Sequence, residues 1–175
     1  MRKSGGFALI DLIFTIGIIG ILAAIATPRL LAARQSAGAS SAIGSLRAIN
    51  SAQLTFAFTC GGGFYAPDLP SLGVPPPGSP DAFLSQNLTG ATIVTRGGYI
   101  IRMASTSYPL APASCNGVAV GLAGQAFKAG ADPADPAMNF RYFATNANAQ
   151  LWEDTTALFP IMPEVGEPAS GHVLR

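Results

Sequence analysis

The sequence predicts an α+β fold: one very long N-terminal helix, its first half embedded in a membrane, its second half packed against a small antiparallel sheet. Three observations predict it. An apolar run from Phe7 to Ala26 follows Met1-Arg2-Lys3 after Ser4-Gly5-Gly6. Helical periodicity then continues past Pro28 until "TCGGGFYAP" stops it. Beyond that stop, short β-prone stretches alternate with Gly-, Pro- and Asn-rich punctuation. At 175 residues the chain is the size of one domain plus an extra element.

The N-terminal run comes first. A membrane span needs about 20 residues at a 1.5 Å rise, and Phe7 to Ala26 supplies that length if Asp11 and Thr15 are tolerated. The basic residues ahead of it favour retention on the cytoplasmic side. An ordinary cleaved signal with "AAIAT" as its cleavage site is one alternative; a plain single-pass anchor is another. Asp11 fits neither well. A lipid-exposed carboxylate costs several kcal/mol unless it reaches the interface or a partner, although helix-end N–H groups soften that cost near the first turn.

The helix continues through three weak points, Gly17, Gly20 and Pro28. Pro28 is expected to bend the helix and not to end it, because "RLLAAR" resumes a helical composition. Ile43, Leu46, Ile49 and Phe56 fall on one apolar stripe, with Arg34 and Arg47 towards wetter faces. A helix from Phe7 to about Phe58 is about 78 Å long, too long for the interior of so small a domain. The expected organisation is a leader at 1–6, a membrane or core helix at 7–28, the second half of the helix at 29–58 and a head at 59–175.

In the head, "PDLPSLGVPPPGSPD" reads as a loop packed onto the helix through Leu69 and Leu72, with a short helix near Asp81 to Leu88. "TIVT" is a weak strand candidate, "GYIIRMAST" a better one, and "VAVGLAG" is ambiguous. In "FRYFATNANAQLWED", Phe140, Tyr142 and Ala144 alternate on one face, and Leu151 and Glu153 follow an Asn-rich turn. These make a three-stranded antiparallel sheet whose apolar face the helix covers. The tail "PIMPEVGEPASGHVLR" is expected to pack only in part.

Leader, Gly, Phe, acid and helix stand in one register, and "GGFALIDLIFTIGIIGILAAIATPRL" resembles the N-terminal signature of type IV pilins and of type II secretion pseudopilins. The resemblance covers about thirty residues. It implies a pilin-like fold and a short leader cut by prepilin peptidase between Gly6 and Phe7, with Phe7 N-methylated. It also implies that Asp11, where the family usually has Glu, pairs with the new amine at Phe7 of a neighbouring subunit, in preference to an intramolecular pair. The side chain is one methylene shorter, so charge is kept and reach reduced. Pairing relieves a desolvation penalty on both ions. Cleavage removes Arg2 and Lys3 and takes the formal charge from +1 to −1. Further along the chain, "INSAQLTFAFTCGGGFYAPDLPSLG" and "YFATNANAQLWED" resemble the helix exit and terminal hairpin of bacterial pilin-like proteins.

The implied function is a structural subunit of a type IV pilus-like filament, with roles in adhesion or twitching motility. The implied partners are further copies in a homo-oligomeric helical filament, minor pilins, prepilin peptidase and an inner-membrane assembly platform. The chain would sit in the inner membrane with its head periplasmic, then in an extracellular filament. The alternatives are a major pseudopilin of a type II secretion system, placed in a periplasmic pseudopilus, and a monomeric membrane-anchored binding module.

Chemistry elsewhere is sparse. The formal charge of +1, without a Lys/Arg cluster, does not indicate nucleic acid, and acids are absent from Leu12 to Pro67. Cys60 and Cys115 are either two buried thiols or, in an exported head, a disulfide closing a loop of about 55 residues, worth about 4 kcal/mol on the loop-entropy account. His172 is the sole histidine and reads as an exposed tail residue. Asp132, Asp135, Glu153 and Asp154 match no calcium-loop spacing and read as solvated acids. No catalytic residue, metal site or cofactor is predicted, and no enzyme activity.

Overall fold

The computed structural model describes residues 9–174. Helix α1 runs Leu9–Thr59, 51 residues, with Pro28 inside it. Contacts divide the chain into two units, one ending at Ser36 and one starting at Ala37, within the segment expected as the second half of the helix.

In the first unit, every residue from Leu9 to Arg34 is exposed. An 18-residue window of α1 is long and apolar enough to cross a membrane or to act as a signal, and none of it is buried.

In the second unit the remainder of α1 packs on a six-stranded antiparallel sheet in the order β1-β2-β3-β4-β5-β6. The strands are β1 Ile93–Arg96, β2 Tyr99–Ala104, β3 Lys128–Pro133, β4 Tyr142–Asn146, β5 Leu151–Asp154 and β6 His172–Val173. Two four-residue helices, α2 Leu69–Leu72 and α3 Gln86–Thr89, lie in the connection before β1. The Asp68 carboxylate caps α2 by accepting from the Ser71 amide at 3.0 Å.

Alternation selects the face that meets the helix. Ile101 pairs with Ala131 and Ala131 with Phe143; Met103 pairs with Ala129, Ala129 with Thr145, and Thr145 with Leu151. This row is buried against Ala39, Ala42, Leu46, Ile49, Ala52 and Phe56 of α1, a stripe at steps of three and four. The opposite face carries a second cluster, Ala144 and Trp152 covered by Leu158 and Met162.

Three expectations are corrected. The sheet has six strands, not three. The residues of β4 that meet the helix are Phe143 and Thr145, the parity opposite to Tyr142 and Ala144, and Phe140 lies outside the strand with 64% of its surface exposed. Both faces of β4 are buried, so hydrophobicity alone does not mark its inner side. The helix expected near Asp81 to Leu88 is only α3; Asp81 and Phe83 precede it. The tail from Pro160 packs only in part, as expected: Met162 is buried and, with Leu158 just before it, covers the outer face, while Ile161 and Val165 are exposed. "VAVGLAG" contains no strand, only the residue Gly124, which bridges Tyr65 and Ser107.

Candidate assembly surface and head tether

The polar residues of the apolar run differ in how they are satisfied. Thr15 Oγ1 donates to the Leu12 carbonyl and Thr27 Oγ1 to the Ala23 carbonyl, each at 2.8 Å. Both hydroxyls thus close their hydrogen bonds within the helix, which lowers the cost of placing them in lipid. Asp11 lies in the first turn. Among the described residues no side chain forms an ion pair with it. Gly6 and Phe7, the expected processing and pairing residues, lie outside the described residues.

The helix persists through Gly17, Gly20 and Pro28. An added Cβ at Gly17 or Gly20 meets nothing within 4 Å among the described residues, so none of them occupies the space the two glycines leave open. Around them stand exposed Phe14, Ile18, Ile21 and Leu22. A surface that apolar is stable only against lipid or another apolar surface.

The far end of α1 is fixed to the head. Gly62 and Gly63 adopt positive φ, and the amides of Gly61 and Gly63 return to the carbonyls of Phe56 and Ala57 at 2.7 and 2.9 Å. Immediately before this stop, Cys60 is joined to Cys115, with Cα atoms 4.9 Å apart. Cys115 lies in the long β2–β3 connection, and its amide also donates to the Cys60 carbonyl. Phe64 stacks on Tyr108 of the same connection, ring centroids 5.7 Å apart. The disulfide therefore ties helix end to loop, as the connection carries no regular element of its own.

The four acids considered for calcium do not converge. Asp132 pairs with Arg102, and Glu153 accepts from Arg141 Nε at 2.5 Å and Nη2 at 2.9 Å. Asp154 accepts from Ser170 at 2.6 Å, and Asp135 from the Ala137 amide at 3.0 Å. Among the described residues no group of three His, Cys, Asp or Glu comes together. His172 is exposed on β6, opposite Glu153. A cleft of about 400 Å³ between Tyr108, Gln125 and Glu164 holds one carboxylate, already accepting from the Thr106 amide and hydroxyl.

Sequence reading missed three packing devices. Arg141 chelates Glu153 and lies over the Phe143 ring, 5.2 Å from its centroid. The Arg141 hydrogen bonds hold the Glu153 carboxyl below its usual range, against a smaller opposing effect of burial. Gln53 is the second: its amide nitrogen donates to the Ala66 carbonyl at 2.9 Å, and its oxygen accepts from the Ala66 amide at 2.8 Å. The third is the tight turn Gly97-Gly98 between β1 and β2, both at positive φ; "RGGY" was a legible hairpin signal. Compared with protein-family models, curated proteins and solved structures, the chain matches none.

Proposed function

We propose that this chain is a structural subunit of a type IV pilus-like filament, processed after Gly6 and assembled through its N-terminal helix. The observation that carries the reading is the surface of α1 from Leu9 to Ala26: exposed at every residue, apolar apart from Thr15, and interrupted in its first turn by Asp11. A plain anchor uses such a surface against lipid alone and gives the carboxylate no task. In a filament the helices exchange lipid for one another, and head-to-tail repetition gives each Asp11 an identical neighbour. The ammonium at Phe7 of that neighbour then relieves the desolvation of both ions.

The disulfide favours a surface filament over a secretion pseudopilus, because a fibre outside the cell gains from a cross-linked head. The test is electron microscopy of sheared cell-surface material with mass spectrometry of the fibres. This chain is expected in them, and its deletion is expected to abolish fibres while protein export continues. If the chain is absent from fibres and its loss stalls secretion, the pseudopilus reading replaces this one.

A further inference from the structure

The charges of the two units are complementary. In the first unit, after Asp11, the only charged residues are Arg29 and Arg34. Both are exposed, and among the described residues neither takes part in an ion pair. The second unit has six basic and eight acidic residues, a net of −2. Two of its arginines, Arg102 and Arg141, are already committed to Asp132 and Glu153. Asp81, Asp135 and Glu167 are exposed, and none forms an ion pair among the described residues.

We infer that Arg29 and Arg34 of one copy dock on exposed head carboxylates, Asp81, Asp135 or Glu167, of a second copy. This rests on the filament reading and deepens it by naming the contact outside the apolar core. Arg29 and Arg34 follow the apolar run, and Leu30 and Leu31 beside them are 57% and 41% exposed. Burying these leucines against a neighbour carries the guanidinium groups into the same interface. There each needs a carboxylate, and arginine's planar fork suits one in bidentate geometry. Own-chain acids are absent from Leu12 to Pro67, so the sequence neighbourhood supplies none. A contact of unlike surfaces on identical chains is heterologous, and it propagates as a filament where its rotation does not close into a ring. The same charges give it register and salt sensitivity.

The test uses full-length chain in isolated membranes and in sheared fibres. Arg29→Lys and Arg34→Lys variants are expressed as mixed light- and heavy-isotope copies and treated with a carbodiimide, which joins amines to carboxylates. Cross-linked peptides linking position 29 or 34 to Asp81, Asp135 or Glu167 in mixed-isotope pairs are expected. Arg34→Glu is expected to lower the fibre-borne fraction about tenfold at equal membrane level, and an added Asp81→Lys, Asp135→Lys or Glu167→Lys is expected to restore it. Links only within one chain, or none while the lysine variants still assemble, overturn the proposal. So does an Arg34→Glu variant that loses binding to phosphatidylglycerol vesicles but not to phosphatidylcholine ones while no cross-links between copies form, which makes the membrane the partner. Cross-links in membranes with no fibres in wild type leave the docking standing and remove the filament reading.

Discussion

Asn50 of α1 and Thr145 of β4 meet in the core, the Asn50 amide nitrogen donating to Thr145 Oγ1 at 2.8 Å across 95 residues of sequence. The Thr145 hydroxyl in turn donates to the Gln150 carbonyl at 2.8 Å, which closes the β4–β5 turn. Helix and hairpin are therefore registered by one buried polar relay. Thr145→Val keeps the shape and orphans both partners, so it is expected to cost about 2 kcal/mol. Denaturant unfolding of the purified protein measures this; a loss below about 0.5 kcal/mol contradicts the relay.

A second contact leaves no room for side chains. A Cβ on Gly38 falls 2.6 Å from the Gly97 carbonyl oxygen, and one on Gly97, at φ +60°, falls 2.9 Å from Ser41. The β1–β2 turn thus lies directly on the α1 backbone. Gly38→Ala is expected to destabilise the head by about 1–3 kcal/mol. Gly44→Ala, on the same helix with nothing within 4 Å, is expected to stabilise by up to about 1 kcal/mol. Equal effects at the two sites contradict the close approach.

These two contacts show what the sequence could and could not reveal. The helix and its stripe were legible because Leu46, Ile49 and Phe56 repeat at helical spacing and end at three glycines. Strand β3, the partner of both β2 and β4, was not. Its sequence "KAGADP" has no β-branched or aromatic residue. The small residues are there for packing: Ala129 and Ala131 lie under the helix, and a Cβ on Gly130 falls 2.7 Å from Phe159. Tertiary contact overrides propensity at that strand. The parity of β4 was equally hidden, because Ala144 and Phe143 are both fully buried. Asp11 and the two cysteines stood out because each breaks the composition around it.

Acid should weaken the head in a definite sense. Glu153 is held below its usual range by the hydrogen bonds from Arg141, and Asp154 by those from Ser170 and the Thr155 amide. A carboxyl depressed in the folded state contributes stability that is full above its unfolded value and is lost as pH falls through the folded one. The urea midpoint is expected to fall from about pH 5 downward, and Glu153→Gln to flatten that slope. An unchanged slope in the variant contradicts the assignment.

At the alkaline end the relevant group is Tyr99, 1% exposed, its hydroxyl lacking a hydrogen-bond partner among the described residues. Burial pushes its pKa up to about 12, with Arg141 partly opposing and Glu153 adding. The folded protein is therefore stable below the ordinary phenol value and loses stability as pH rises above it. Ultraviolet titration should show one of the four tyrosines ionising late, and Tyr99→Phe should remove that phase. Retention of the phase contradicts the burial argument.

Removing the tether has a separate cost. The Cys60–Cys115 bridge spans a sequence separation of 55, and its loss through Cys60→Ser with Cys115→Ser is expected to cost about 4 kcal/mol on the chain-entropy account. Comparison of denaturant midpoints for the oxidised protein and the double variant checks it. A change under about 1 kcal/mol would show that hydrogen bonds and stacking alone hold the connection.

The central claim is that the first-turn carboxylate serves assembly. The most direct measurement is the ratio of fibre-borne to membrane-borne subunit for wild type, Asp11→Ala and Asp11→Glu at matched expression. The account predicts equal membrane insertion for all three, a ratio near wild type for Asp11→Glu and a fall of about tenfold or more for Asp11→Ala. Fibres of Asp11→Ala at the native ratio would contradict it.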